Sequence, residues 1–338
     1  MMFNREPIIF MMVFAFIVVI IPAIVLLVID NKSKKQRSIL TRENKFVSNN
    51  RENIERKLDE NSNDLKIMRF KALLSAVVLA VGIIVSFFII RPIIISIIIC
   101  IVLSIIMGIN INKYIVENSE KFAEVVKNAL HDFNKDLEYY PKGGFTEEEY
   151  KLCLFPEMCD QFSSEDMIVN PKSSFIYSDI LVESEYEDSD GDTHYRTEFC
   201  GSLARINIEN VNCAIYLGST PGKFIFRNDG FKKIDFENDE FNKLFRACSS
   251  NELLAYKLLT PDIMEKFVKI KNETFGDIDI RIYYDKLYIR FLSGDTFDST
   301  LFNKRREKEA LLQSFAVLDE VMKTMEKVRD LINKKNVE

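Results

Sequence analysis

Three uncharged apolar segments crowd the first third of this chain and constrain its folding more than any other feature. Ile8–Ile29 holds 22 residues, Ala72–Ile90 holds 19 and Ile93–Ile111 another 19. A helix rising about 1.5 Å per residue crosses a hydrocarbon core about 30 Å thick in roughly 20 apolar residues. The lengths therefore predict three transmembrane helices, at 8–29, 72–90 and 93–111, within a membrane region covering 1–111. Only Arg91-Pro92 separates the second from the third. Read as one helix, the pair would be about 60 Å long, twice the hydrocarbon thickness. Proline lacks the amide donor and restrains the residue before it, so a tight hairpin is expected there, after a single first anchor.

Charge sets the expected orientation. The loop 30–71 carries 12 Lys/Arg against 7 Asp/Glu, while the N-terminus offers only Arg5 beside Glu6. Lys32, Lys34, Lys35 and Arg37 follow the first segment, and Lys66, Arg69 and Lys71 precede the second. Positive residues near membrane segments stay in the cytoplasm. The basic loop 30–71 and residues 112–338 are thus expected there, with the N-terminus outside. Abundant Ile, Lys and Asn and no Trp point to an AT-rich, bacterial genome, hence an inner membrane. The first segment reads as an uncleaved anchor, because it is longer than a signal sequence and Ile29-Asp30-Asn31-Lys32 offers no small-residue cleavage site. None of the three segments carries an ionisable side chain at depth, where ion pathways place them. The lipid bilayer is their expected partner, and anchoring their role.

Residues 112–338 are long enough to bury a core of their own and carry 31 Lys/Arg against 43 Asp/Glu. That acidic balance excludes nucleic acid as a partner. Five of the six cysteines, Cys153, Cys159, Cys200, Cys213 and Cys248, fall here at irregular spacing without a C-x-x-C pair, and Cys100 lies in the third apolar segment. Neither a disulfide framework nor a zinc site is expected; reduced, buried thiols are.

Periodicity predicts an α+β class. A polar helix is expected over 115–140, ended by Pro141 and Gly143-Gly144. Thr146 and Glu149 form a capping box and Phe145 and Tyr150 a staple for a helix ending before Pro156. From Met167 to Phe226 the period becomes two. Phe175, Tyr177, Ile180 and Val182 predict one strand with an irregularity, and Glu198–Ile208, Cys213–Leu217 and Lys223–Phe226 predict others, with turns at 188–192 and 218–222. Helices are expected at 237–248 and 261–271. Ile278–Tyr284 and Leu287–Phe291 alternate cleanly about Asp285-Lys286 as a hairpin. Asn303–Asn333 reads as a long amphipathic helix whose stripe (Leu311, Phe315, Leu318, Val321, Met322, Met325, Val328, Ile332) is either a core face or a partner seam. An antiparallel sheet with flanking helices follows.

The chemical motifs fail on inspection. Gly218-Ser219-Thr220-Pro221-Gly222-Lys223 has three residues between its glycines, where a phosphate loop needs four, and Phe224 stands where Ser or Thr should hold magnesium. Asp188-Ser189-Asp190-Gly191-Asp192 lacks the glycine and glutamate of an EF-hand and is flanked by strands. His131 and His194 lack partners at ligand spacing, and neither G-x-S-x-G nor G-x-G-x-x-G occurs. No catalytic, cofactor-binding or metal residue is assigned, and no cofactor is expected. An enzyme would need Glu165, Asp166 and His194 to converge in a cleft. Lys304-Arg305-Arg306-Glu307-Lys308 is a basic run opening the last helix.

The stretch Lys232–Phe245, with Asp235-Phe236-Glu237 and Phe241 in it, followed by Leu259-Thr260-Pro261, resembles the signature of a bacterial family of unknown function. Ser164-Glu165-Asp166-Met167-Ile168 and Phe199-Cys200-Gly201 are similar to two further steps of its pattern. The resemblance covers roughly residues 70–295 and implies a membrane hairpin followed by a cytoplasmic domain. This chain departs from the pattern at Asn251, where the family has aspartate, at Ser164, where it has glycine, and in its extra first segment. No activity or site is transferred.

Together these readings lead to a non-enzymatic membrane protein presenting a cytoplasmic α+β domain to a membrane-protein partner or to a second copy of itself. A lipid or small-ligand sensor is the alternative, and an enzyme on a membrane-associated substrate the second.

Overall fold

The computed structural model describes residues 119–153, 155, 158–219, 230–273, 277–293, 297 and 304–336, with isolated helical positions between 67 and 117. The described residues fall into two compact units. The one followed below, 127–297 with the last helix from 308 onward, holds every described strand.

Among the described residues nine strands form one sheet: β1 Glu138–Tyr140, β2 Gln161–Asn170, β3 Phe175–Glu187, β4 Thr193–Asn207, β5 Ala214–Gly218, β6 Lys232–Ile234, β7 Arg246–Ser249, β8 Ile278–Tyr283 and β9 Lys286–Phe291. Their spatial order is β1-β2-β3-β4-β9-β8-β5-β7-β6, with every ladder antiparallel. The chain leaves β4 and returns at β5 with room for two strands between them, and the late β8–β9 hairpin fills that gap. The helices among the described residues from 119 onward are α1 (described over 119–133), α2 Glu147–Leu152, α3 Asp239–Leu244, α4 Glu252–Leu258, α5 Pro261–Glu273 and α6 Lys304–Asn336.

One apolar row crosses all nine strands. Register places Tyr139, Ile168, Tyr177, Ala204, Ile289, Ile280, Leu217, Ala247 and Ile234 side by side, and all are buried. Helix α6 lies over this face. Phe297 meets Tyr139, Tyr177 and Phe315, and Phe133 of α1 stacks on Phe315 at 5.8 Å. The stripe of α6 is core: Leu311, Phe315, Leu318, Val321, Met322, Met325, Val328 and Ile332 are all buried. Its far end is tied down where Arg329 Nη1 donates to the Ser173 carbonyl and the Glu209 amide donates to Asn333 Oδ1.

The membrane fold expected from the sequence is corrected. The structure is α+β with a large antiparallel sheet and helices, and no helix among the described residues is long and apolar enough to cross a membrane. The longest, α6, has 33 residues but repeated charges along them, because its apolar residues make one stripe rather than a continuous surface. The segments 8–29, 72–90 and 93–111 lie outside the described residues, apart from the helical positions Val102 and Ile109. The strand expected at Lys223–Phe226 also lies outside them.

Other differences have local causes. The helix expected over 237–248 stops at Leu244, and Phe245 turns to extended backbone (φ −128°, ψ 138°) to start β7. Ala247 and Cys248 are buried between β5 and β6, so the run lacks strand alternation. The α1 helix ends at residue 133, and Glu138–Tyr140 becomes the edge strand β1.

Candidate functional site

The second face of the sheet carries charge. Register sets Ile176, Arg205, Tyr288, Arg281, Tyr216 and Cys248 in one row, with Leu203, Arg290 and Asp279 in the next. Helix α2 and the residues after it cover these rows: Tyr150, Cys153 and Phe155 pack with Ile180, Val182, Phe199, Leu203 and Tyr288. Buried charges are tolerated only when paired and hydrogen-bonded. Arg290 is 2% exposed; its Nε and Nη2 donate to Asp279 Oδ2 at 2.9 and 2.6 Å, and its Nη1 donates to the Tyr150 hydroxyl at 2.8 Å. Its guanidinium also lies 3.8 Å from the centre of the Phe155 ring. Arg281 sits over the Tyr216 ring at 3.1 Å, and burial lowers its pKa to about 10, so it stays charged at neutral pH.

Helix α2 is placed by its cap. Thr146 Oγ1 accepts from the Glu149 amide at 3.2 Å, but the Glu149 carboxylate does not reach back as a capping box requires. It turns to the sheet and accepts from Arg205 Nη1 at 2.6 Å and the Tyr288 hydroxyl at 3.2 Å. Burial foremost raises the Tyr288 pKa above its ordinary range. Burial also raises Cys153 and Cys248 to about 12 and Cys213 to about 11. Thiols held this high are protonated at neutral pH and poor nucleophiles. The cluster therefore joins α2 to β4, β8 and β9.

The groups an enzyme reading needs do not converge. Asp166 is buried at a β-bulge with φ +58° and accepts from the Tyr139 hydroxyl. Glu165 pairs with Asp179, whereas His194 pairs with Tyr186, seven residues further along β3. At about 3.3 Å per residue that is roughly 23 Å. His194 Nε2 instead lies 2.8 Å from Asp188 Oδ2, and the Asp192 amide leads the donors that hold the Asp188 pKa below the usual carboxylate value. His131 is exposed on α1. Among the described residues no group of His, Cys, Asp or Glu is placed to hold a metal ion.

The resembling motifs have structural roles. Phe236, Phe241 and Phe245 form a buried aromatic group, and Asn238 caps α3 by accepting from the Phe241 amide. Asn251 caps α4 by accepting from the Leu254 amide at 3.2 Å, a task that Asn and Asp perform equally. Ser164 Oγ accepts from the Phe145 amide and thereby fixes the entry to α2. A Cβ on Gly201 would meet the Phe291 carbonyl oxygen at 2.3 Å, so β4 and β9 need glycine there.

A different feature faces solvent. Strand β2 pairs with β3 only as far out as Glu183, and β9 pairs with β4 only as far as Ser202. Beyond both, Ser184–Glu187 and Thr193–Arg196 pair only with each other among the described residues. This two-stranded arm exposes Tyr186 and Tyr195 at 49% and 48%, in contrast to the buried tyrosines of the sheet.

Three comparisons bear on kinship. No curated protein matches the chain. A crystal structure of the mycobacterial trehalose monomycolate transport factor A, TtfA, is similar at TM-score 0.34 and 8% identity, over 58% of this chain and 88% of that one, a likeness too loose to assign fold or role. Residues 209–334 match a family described as a protein of unknown function, DUF3137, a span that includes Asp235–Phe245, Leu259-Thr260-Pro261 and most of α6 but neither Ser164–Ile168 nor Phe199–Gly201.

Proposed function

We propose that this chain is a non-enzymatic protein-interaction module working at the cytoplasmic face of a bacterial inner membrane. The projecting β3–β4 arm carries the interaction part of that reading, since it offers paired strands, exposed tyrosines and an open edge on β4 outside the packed sheet. The α6 stripe is buried and therefore does not serve as the partner seam. Packed side chains occupy both faces of the central strands, which counts against a ligand pocket in the sheet. The membrane part rests on sequence alone: the uncharged segments 8–29, 72–90 and 93–111, and the basic loop 30–71.

Cross-linking and co-purification of the tagged full-length chain from its native cell tests the first part. A stoichiometric protein partner, lost in the arm variant E185K/E187K/D190K, is expected. Recovery of the chain alone, or with a stoichiometric lipid or metabolite, refutes the module. For the location, a membrane-impermeant thiol reagent should leave the cysteines of the α+β domain unlabelled in intact cells and label Cys159 and Cys200 after permeabilisation. Labelling of those residues in intact cells would place the domain outside.

A further inference from the structure

Resting on the interaction reading above, we propose that the outer edge of β4 receives an extended, basic segment of a partner protein as an added strand. The two edges of the arm differ. On β3, Asp160 occupies the edge: its amide donates to the Glu183 carbonyl at 3.0 Å and its Oδ2 accepts from the Glu185 amide at 2.8 Å. On β4, no strand among the described residues pairs with the exposed run Thr193–Thr197 on the β9 side, because the β9 ladder begins at Ser202 and the backbone that follows β9 abuts Gly201. An open edge of that length spans roughly 13 Å and accommodates a strand of about four or five residues.

The arm's charge selects the occupant. Glu185, Glu187, Asp188, Asp190 and Asp192 lie on it, with Glu183 and Glu198 at its base, against Arg196 and His194. Arg196 Nε donates to Glu198 Oε1 at 2.9 Å, and His194 lies against Asp188, so both cationic groups are already engaged within the arm. Carboxylates of one sign on an open edge repel a second copy of that edge and attract Lys or Arg on an incoming strand. Tyr186 and Tyr195, on opposite faces, offer rings to the aliphatic stems or charges of such residues.

The test uses the full-length protein in detergent and a fluorescent eight-residue peptide of alternating Lys and Val. A Glu-Val peptide and a Lys-Val peptide methylated on alternate amides serve as controls. The Lys-Val peptide should bind, weaken about tenfold or more between about 50 mM and about 500 mM salt, and lose binding in E185K/E187K/D190K. An unchanged denaturant midpoint for that variant shows that the fold survives. The methylated peptide, which keeps its charge but cannot pair along one edge, should bind at least about tenfold more weakly. Equal binding of the methylated peptide reduces the effect to charge attraction and overturns strand addition. No binding, or unchanged binding by the variant, overturns it too, as does dimerisation through the arm. A native partner cross-linked away from the arm leaves the interaction module standing and removes only this inference.

Discussion

Asp279 and Arg290 face each other directly across the β8–β9 ladder, and both Nε and Nη2 of Arg290 donate to one oxygen, Asp279 Oδ2. Two residues that strand alternation assigns to the second face thus become a buried ion pair, because α2 closes over that face. Breaking one partner strands the other charge in the interior, which costs about 3–5 kcal/mol. Asp279→Ala should lower unfolding stability by that amount in a denaturant titration. The double variant Asp279→Leu/Arg290→Met should recover part of the loss, since neither position then holds an unpaired charge. Equal losses in the single and double variants would argue against the pairing.

Phe241 is fully buried between Phe236 and Phe245. Phe241→Ala removes most of a ring and leaves a cavity, and a destabilisation of about 3–5 kcal/mol is expected. A variant that unfolds at the wild-type denaturant midpoint would show that the ring is not core.

Gly201→Ala drives a methyl group into the Phe291 carbonyl. Both backbones belong to the central sheet, so the strain has no flexible side chain to absorb it. A loss of about 1–3 kcal/mol is expected, together with faster amide exchange at Ser202 and Phe291. An Ala variant as stable as wild type would mean that β4 and β9 separate more easily than their register implies.

The buried thiols make a pH prediction. Cys153, Cys213 and Cys248 hold their protons to about 12, 11 and 12 in the folded chain, against 9.0 for a free thiol. A group whose folded pKa is raised contributes stability that is fully present below the unfolded value and is lost as pH rises through the folded one. Their contribution should therefore decline from about pH 9 upward. Iodoacetamide at pH 8 should modify Cys159 and Cys200 in the native protein and these three only with denaturant. Rapid native labelling of Cys153 would contradict its burial at the C-terminal cap of α2 against the sheet.

The parts of the fold legible in the sequence are those where one face decides the pattern. Ile278, Ile280 and Ile282 answer Leu287, Ile289 and Phe291 so regularly that the β8–β9 hairpin needs no structure, although its turn falls at Tyr284-Asp285 because Tyr283 pairs with Lys286. Thr146 announces the start of α2 equally well. What escaped is what tertiary context decides. Helix α4 and strand β7 are short, and β7 is buried on both sides, so neither carries a period. Residues 279, 281 and 290 look like the solvent side of a half-buried hairpin. The available signal was the large Tyr216 and Tyr288 on that same face, where a solvated strand has small or polar residues. Local spacing makes Glu149 a capping partner, since it cannot show that Arg205, 56 positions away, reaches its carboxylate. The β3–β4 arm was visible only as two strands and an acidic turn; that it outruns β2 and β9 depends on registers set by distant pairings.

The most direct test of the account places a photo-cross-linking amino acid at Tyr195 of the full-length chain in its native cell, with Tyr284, an equally exposed turn residue remote in register from the arm, as the control. One discrete protein adduct at Tyr195, through a Lys- or Arg-rich segment and absent at Tyr284, is the expected result. Lipid adducts at Tyr195, or the same protein captured from both positions, would contradict an arm that receives a partner strand.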